Sequence, residues 1–181
     1  MRFIRGIFLL PILSGVFFTP QATAENYWGI GLGNSAYSLK PLYGSYSLQD
    51  SLAIRGLYGM RNKNMGFEVE LSYADYAWQN ATANSHTNLN MVVAGVTYLP
   101  VAHHSSLFAS VGANFWSTDV NYSGQFYEGD SGIGFALSAG LDVKLSERLH
   151  LSGEFQYLPG LSDGVDKGDI SQFFINALFY Y

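Results

Sequence analysis

The chain has 181 residues, of which 48% are hydrophobic, 16% aromatic and only 13% charged, with 20 glycines and no cysteine. A soluble domain usually carries about 25% charged residues, so this composition predicts a surface that water alone does not solvate. The hydrophobic content excludes an intrinsically disordered chain, and the lack of cysteine excludes a disulfide scaffold or a thiolate metal site. The length fits a single domain.

The first 24 residues have the pattern of a secretory signal peptide. Two arginines precede an apolar stretch at 6–18, and Ala22 and Ala24 stand at the spacing of a cleavage site. The alternative is a membrane-spanning helix, which needs about 20 apolar residues. The stretch at 6–18 is shorter than that, so this alternative is disfavoured. We expect export, cleavage after Ala24 and a mature domain of residues 25–181.

The charge balance of the mature chain disfavours nucleic acid as a partner. Two of the nine basic residues lie in the predicted signal peptide, which leaves seven against 14 acidic residues and a net charge of −7. Such a chain offers no basic stripe for a phosphate backbone, and export removes it from cytoplasmic nucleic acid. We therefore expect no nucleic-acid partner.

Beyond residue 24 the hydrophobicity alternates with a period of two, which is typical of β-strands with one apolar face. In 133–145 one phase reads Ile, Phe, Leu, Ala, Leu, Val, Leu and the other reads Gly, Ala, Ser, Gly, Asp, Lys. The pattern predicts eight strands, at 27–38, 51–61, 65–78, 88–99, 106–119, 132–145, 149–158 and 169–181.

The predicted connections alternate in length along the chain. The short ones are 62–64, 101–105 and 146–148, and the long ones are 39–50, 79–87, 120–131 and 159–168. Outer-membrane barrels have short periplasmic turns and longer extracellular loops. The sequence therefore predicts an all-β fold, an eight-stranded antiparallel up-and-down transmembrane β-barrel.

The composition of the two faces decides between a soluble and a membrane barrel. A lipocalin-like barrel would place its apolar phase inside, around a ligand, and a membrane barrel places it outside, against lipid. Here the other phase consists of small side chains with isolated charges, which fit the narrow interior of eight strands. We expect Leu137, Leu141 and Phe155 on the outside, facing lipid.

The few charged residues of the strands fall in the inward phase and predict a charge network in the lumen. Its expected members are Arg55, Arg61, Glu68, Glu70, Asp142, Lys144, His150 and Glu154. A turn centred between Asn62 and Lys63 would place Arg55 directly opposite Glu70, where opposite charges attract. We interpret the network as a salt-bridged plug, and the alternative is a narrow ion path.

The last strand places Phe173, Ile175, Ala177 and Phe179 on one face and ends in Tyr181. With the export signal, this aromatic terminus and the segments YWGIGLG, GLYGMRNKNMGFEVELSY and VVAGVTYLPV, the chain resembles the small outer-membrane β-barrel family that includes the outer-membrane protein A transmembrane domain and the opacity proteins. The resemblance implies a location in the outer membrane of a Gram-negative bacterium, among lipid and lipopolysaccharide. It also implies that Phe173, Phe179 and Tyr181 form part of the signal read by the barrel-assembly machinery.

One motif raises the possibility of an enzyme. His150, Ser152 and Glu154 share a strand face, and lipid A deacylases are small outer-membrane barrels with a His-x-Ser pair and a glutamate. A serine nucleophile needs a base and an orienting acid within hydrogen-bond reach. These residues follow the short 146–148 turn, away from an outer-leaflet substrate, so we expect a hydrogen-bonded cluster and no enzyme.

No pattern in the sequence indicates a metal or another cofactor. Adjacent His103 and His104 lie in a predicted turn, and Asp163, Asp166 and Asp169 lack the spacing of a helix-loop-helix calcium site. The long connections at 79–87, 120–131 and 159–168 are the expected surface for contacts with a host, lipopolysaccharide or another protein. A structural envelope role and a small pore are the alternative functions.

Overall fold

The computed structural model of the chain describes residues 24–40, 50–78, 81–122, 125–127, 130–162 and 167–181. Apart from Ala24, the predicted signal peptide lies outside the described residues. Within these ranges, no helix is long and apolar enough to cross a membrane.

The described residues form eight strands of 12 to 22 residues and one of three residues. They are β1 (Glu25–Lys40), β2 (Ser51–Asn62), β3 (Met65–Trp78), β4 (Ala81–Ala102), β5 (Ser105–Tyr122), β6 (Gln125–Tyr127), β7 (Ser131–Lys144), β8 (Leu149–Ser162) and β9 (Lys167–Tyr180). All eight long strands correspond to predicted ones, and β6 is an addition.

The eight long strands close into an antiparallel barrel. Their order is β4-β3-β2-β1-β9-β8-β7-β5, and pairing of β4 with β5 completes the circle. Each strand therefore pairs with its neighbour in sequence, except that β1 meets β9 and the short β6 pairs only with the end of β5. The up-and-down barrel predicted from the sequence is confirmed.

Turns joining β2 to β3, β4 to β5 and β7 to β8 lie at one end of the barrel, which we call the short-turn end. The opposite end is the loop end, and in outer-membrane barrels the two face the periplasm and the cell exterior respectively. Both termini of the barrel, at Glu25 and Tyr180, lie at the short-turn end.

The apolar phase of the strands covers the outside of the barrel. Leu137, Leu141 and Phe155 are 47%, 41% and 52% exposed, whereas the alternate residues point into the lumen and are mostly buried. In β2 the alternation is strict from residue 51 to residue 60. A soluble barrel would show the opposite arrangement, so the outward apolar belt is the surface that meets lipid.

The strands reach further toward the loop end than the sequence predicts, and the predicted loop boundaries there are wrong. β4 begins at Ala81 and β5 continues to Tyr122. β8 ends only at Ser162, and β9 begins already at Lys167. Most of the described residues within 79–87, 120–131 and 159–168 thus belong to strands. The apolar alternation stops where the lipid belt stops, but the backbone ladder continues through polar residues because its hydrogen bonds do not depend on side chains.

The predicted pairing of β2 with β3 is also wrong, by two residues. Arg55 pairs with Ser72 rather than with Glu70, because the turn is centred between Lys63 and Asn64. Lys63 adopts a φ of 51°, the left-handed conformation that tight hairpin turns use. Moving the centre of a hairpin by one residue shifts each cross-strand partner by two.

Several apolar residues that share the polar phase lie in the lumen. Val92 and Val96 of β4, Trp116 of β5, and Phe174 and Leu178 of β9 are all at most 8% exposed. The lumen is therefore a mixed core in which apolar side chains pack between polar networks.

Candidate functional site

Arg55 is the centre of a buried ion-pair cluster halfway along the lumen. Its Nη1 atom lies 2.8 Å from Glu70 Oε2, and its Nη2 atom donates to Glu154 Oε2. Its Nε atom donates to Asn176 Oδ1 at 3.3 Å, and the guanidinium stacks 4.2 Å from the ring centroid of Phe174. The fork geometry of a guanidinium allows one side chain to bridge carboxylates on opposite walls of the barrel.

The contact between Arg55 and Asn176 depends on a glycine in the strand between them. In β1, Gly31 pairs with Arg55 on one side and with Asn176 on the other. A Cβ atom at Gly31 would lie 2.1 Å from Asn176 Oδ1, so the amide would have to move away. Gly31 therefore leaves the space through which the arginine reaches the asparagine across β1.

Glu68 occupies a separate position closer to the short-turn end and is held by phenols. Tyr27 donates its hydroxyl to Glu68 Oε1, and Tyr98 donates to the same oxygen at 3.2 Å. The two hydroxyls lie 3.1 Å apart. The position of Tyr27 near a strand end favours a membrane-interface role, but its side chain is fully buried in the lumen.

Arg61 and Asp142 form a second ion pair at the mouth of the short-turn end. Arg61 Nη1 lies 2.8 Å from Asp142 Oδ2, its Nη2 atom donates to Ser106 Oγ at 3.2 Å, and its guanidinium stacks 3.8 Å from the Tyr98 ring centroid. His150 Nδ1 lies 3.1 Å from both oxygens of Asp142. The cluster spans the mouth from β2 to β7 and β8.

Lys144 does not join the lumen network, so this part of the prediction is wrong. Its ammonium lies 2.9 Å from Glu147 Oε2, and the two side chains are 35% and 90% exposed. Lys144 is the last residue of β7, so its long side chain extends into the adjoining turn. The hydrogen bond from this ammonium holds the pKa of the Glu147 carboxyl below its ordinary value.

The three candidate catalytic residues, all within the described ranges, each bind a different partner and do not bind one another. His150 contacts Asp142, Ser152 Oγ accepts from Asn176 Nδ2 at 2.9 Å, and Glu154 binds Arg55. Among the residues that the structure describes, no hydrogen bond joins His150 to Ser152. A serine nucleophile requires that bond, so the geometry does not support the deacylase pattern.

Between the Arg55 cluster and the loop end, the polar side chains of the lumen are amides and hydroxyls that hydrogen-bond to one another. Asn114 Nδ2 donates to Asn90 Oδ1 at 3.1 Å, and Asn90 Nδ2 donates to Asn88 Oδ1. Ser35 Oγ lies 2.5 Å from the Tyr76 hydroxyl and accepts from Gln172 Nε2 at 3.0 Å. The sequence does not single out these residues, because isolated Asn and Gln residues in an inward phase form no pattern of their own.

An apolar cluster fills the lumen at the same level and above it. Leu158, Leu161 and Ile170 are fully buried there. The cluster also contains Tyr37, Ala53, Ala74, Tyr76, Val92, Ala94, Trp116, Ala136 and Phe174. Ion pairs, amides and apolar side chains together fill the lumen, as in other barrels of eight strands, whose interior is just wide enough for side chains.

A recess of about 380 Å³ opens at the short-turn end. Arg61, Lys63 and Glu147 line it, together with His103 and His104, whose ring centroids are 5.4 Å apart. In the described ranges, no group of three or more His, Asp or Glu side chains is arranged to hold a metal ion.

The acidic loop candidates fall only partly within the described residues. Asp169 Oδ1 accepts a hydrogen bond from the Gly160 backbone N–H at 3.0 Å, which ties the ends of β8 and β9 together. Asp163 and Asp166 lie outside the described residues.

The predicted assembly-signal residues lie on the outer face of β9 and at its end. Phe173 is 50% exposed, and the ring of Phe179 stacks on Trp28 with centroids 4.4 Å apart. Tyr181 is 71% exposed, and its backbone N–H donates to the Asn26 carbonyl at 3.0 Å. The aromatic side chains therefore face the surroundings of the barrel while the backbone closes onto β1.

A family model described as "Outer membrane protein beta-barrel domain" matches residues 8–177. The chain belongs to this family. Its structure resembles that of Neisserial surface protein A, with a TM-score of 0.73 and 13% sequence identity over 87% of this chain and 99% of that one. The attachment invasion locus protein Ail of Yersinia pestis gives a TM-score of 0.57 at 14% identity, over 87% and 99% of the two chains.

The outer membrane protein OprG from Pseudomonas aeruginosa gives a TM-score of 0.59 at 12% identity, over 89% of this chain and 97% of that one. No curated protein sequence matches the chain. At these identities the solved structures establish the fold alone, and the family match places this member of the outer membrane protein β-barrel family in the outer membrane.

Proposed function

We propose that this protein is a non-enzymatic barrel that makes surface contacts through the extended strands of its loop end, while a packed lumen serves as a structural plug. The observation that carries the proposal is the continuation of β4 and β5 beyond the apolar belt. Rigid scaffolds that present polar surface outside the membrane are suited to binding rather than to transport.

The outward side chains of β4 and β5 change character near the loop end. Leu89 and Phe115 are the last large apolar residues on the outer face of the two strands, at 44% and 37% exposure. Beyond them the pairing continues to Ser85 and Asn121. Four further residues of β4 extend the ladder by about 13 Å along the strand. A paired ribbon of this kind holds its polar outer face in a fixed conformation.

Charge at the loop end favours a basic partner. The acidic residues in or beside its connections are Asp50, Asp75, Asp119, Glu128, Asp130, Asp163, Asp166 and Asp169, against Lys40 and Lys167. Ail of Yersinia pestis has been crystallised with the heparin analogue sucrose octasulfate, which is a polyanion. Like charges repel, so we expect this chain to bind basic protein segments, or lipopolysaccharide phosphates through divalent cations.

The test compares bacteria that display the wild-type chain with two variants. In one, residues 79–84 are replaced by an Asn-Gly turn, and in the other Asp75, Asp119 and Asp130 are changed to Asn. We expect both variants to reach the surface in wild-type amounts, measured by flow cytometry, and to attach less to cultured host cells. Attachment that is unchanged in both variants contradicts the proposed surface role.

Two measurements address the other functions. The purified wild type and its Arg55→Ala variant are expected to give no single-channel conductance in planar bilayers, because side chains bridge the lumen at several levels. Purified protein is also expected to leave lipid A intact. Conductance in the wild type, or deacylation lost on Ser152→Ala, would overturn the corresponding part of the proposal.

A further inference from the structure

The basic residues of the barrel concentrate at the short-turn end, opposite to the acidic loop end. Arg61, Lys63, Lys144 and Arg148 all lie there, which is four of the seven Lys and Arg residues after residue 24. His103 and His104 occupy the turn between β4 and β5 at the same end. Each of the three short turns thus carries basic side chains. Glu25, Asp142 and Glu147 lie at the same end, so the charge changes from strongly acidic at the loop end to nearly balanced here.

Two of these cations form no ion pair with a carboxylate of the described residues. Arg61 pairs with Asp142, and Lys144 pairs with Glu147. Lys63 and Arg148 are exposed, and within the described part of the chain neither makes an ion pair. Their charges are therefore available to a partner outside the barrel.

The uncommitted cations lie directly beside the apolar belt. Met65 follows the turn that contains Lys63, and Leu145 precedes Arg148 in its turn; these apolar side chains are 69% and 56% exposed. Tyr181, at 71% exposure, lies at the same end. An apolar collar next to basic side chains is the arrangement that places cations at the level of lipid headgroups.

We propose that the short-turn end is a docking surface for anionic phospholipid headgroups, with Lys63 and Arg148 as the principal contacts. Charge complementarity selects this occupant, because a phosphatidylglycerol headgroup supplies the negative charge that these two residues lack. The orientation of the barrel places the surface at the inner leaflet, while the acidic loop end faces lipopolysaccharide phosphates. The inference is independent of any adhesion by the loop end.

Trp28 offers a natural reporter for the lipids at this end. It lies near the start of β1, is 47% exposed on the outer face and stacks on Phe179. Brominated acyl chains quench tryptophan fluorescence on contact. Two vesicle preparations of phosphatidylcholine are compared, one with a fraction of brominated phosphatidylglycerol and one with the same fraction of brominated phosphatidylcholine. The stronger quencher is the lipid that is enriched around Trp28. The full chain is reconstituted in both, at low salt.

For the wild type we expect quenching by the brominated phosphatidylglycerol to exceed that by the brominated phosphatidylcholine by about twofold, since each basic residue near a surface attracts anionic lipid. The Lys63→Asn/Arg148→Gln variant is expected to bring the ratio close to one. Asparagine tolerates the left-handed conformation of position 63, so the turn is preserved. Trp28→Phe should abolish the difference in quenching between the two brominated lipids.

The matched control is Asp75→Asn/Asp119→Asn, which removes two exposed charges at the loop end and should leave the preference at Trp28 unchanged. Circular dichroism verifies folding of each variant. Salt at 0.5 M should suppress the preference, because both cations are exposed and are screened. Equal quenching by the two lipids in the wild type, or a preference that survives the double substitution, overturns the proposal.

Discussion

The two halves of the lumen differ mainly in where the buried ion pairs lie. The half toward the short turns contains two ion-pair clusters, around Arg55 and Arg61, and a glutamate held by two phenols. The half toward the loops contains an amide row and an apolar cluster that includes Leu158 and Ile170. Both halves are filled, but a charged network needs particular partners, whereas an apolar cluster needs only volume and shape.

This contrast predicts where the barrel tolerates substitution. Removing one member of a buried ion pair leaves an uncompensated charge, so the short-turn half should be sensitive to single changes and restored by paired ones. Changes in the apolar cluster should cost free energy in proportion to the cavity they leave, without any restoring partner.

The largest effect is expected from Arg55→Met. This substitution keeps much of the side-chain volume but leaves Glu70 and Glu154 without their cation, at a cost of about 3–5 kcal/mol in the free energy of unfolding. Urea unfolding in phospholipid vesicles measures it. Adding Glu70→Gln and Glu154→Gln should recover most of the loss. A loss below about 1 kcal/mol, or no recovery in the triple variant, contradicts the role of the ion pairs.

The corresponding change in the other half is Leu158→Ala. Leu158 is fully buried, and deletion of such a side chain typically costs about 2–5 kcal/mol through lost burial and the cavity that remains. The same unfolding experiment measures the loss. If Glu70→Gln and Glu154→Gln also restored the stability of the Leu158→Ala variant, the distinction between the two halves would not hold.

Gly31→Ala tests the space behind the Arg55 contact. The new methyl group would displace Asn176, so we expect a loss of about 1–3 kcal/mol from overpacking. Gly56 is the matched control, because it pairs opposite Ile30 in the adjacent register position, faces outward and has nothing within 4 Å of an added Cβ. Equal losses for Gly31→Ala and Gly56→Ala would show that the close approach to Asn176 has no special importance.

The smallest effect is expected from Glu147→Gln in the exposed turn. Its pKa is lowered by Lys144, so the pair favours the folded state above the ordinary carboxyl pKa, and this contribution disappears as the pH falls through the lowered value. Full solvent exposure screens the interaction, so unfolding curves of the variant and the wild type should coincide at pH 7. A clear difference would place Glu147 in the structural network of the lumen mouth.

Much of the architecture follows from the order of residues alone. Strict alternation in segments such as 133–145 identifies the strands, the lipid-facing side and the closed barrel, because side chains of a strand alternate between two faces and lipid accepts only one of them. The inward position of Arg55, Glu70 and Glu154 follows from the same alternation.

The tertiary structure alone decided which of these groups meet. Arg55 contacts Glu70 although their backbones are out of register, and it reaches Glu154 from across the barrel and Asn176 past Gly31. Such contacts depend on turn position, barrel closure and side-chain length. The ends of β4 and β5 also required the structure, because backbone hydrogen bonds extend a strand without leaving a hydrophobic pattern in its sequence.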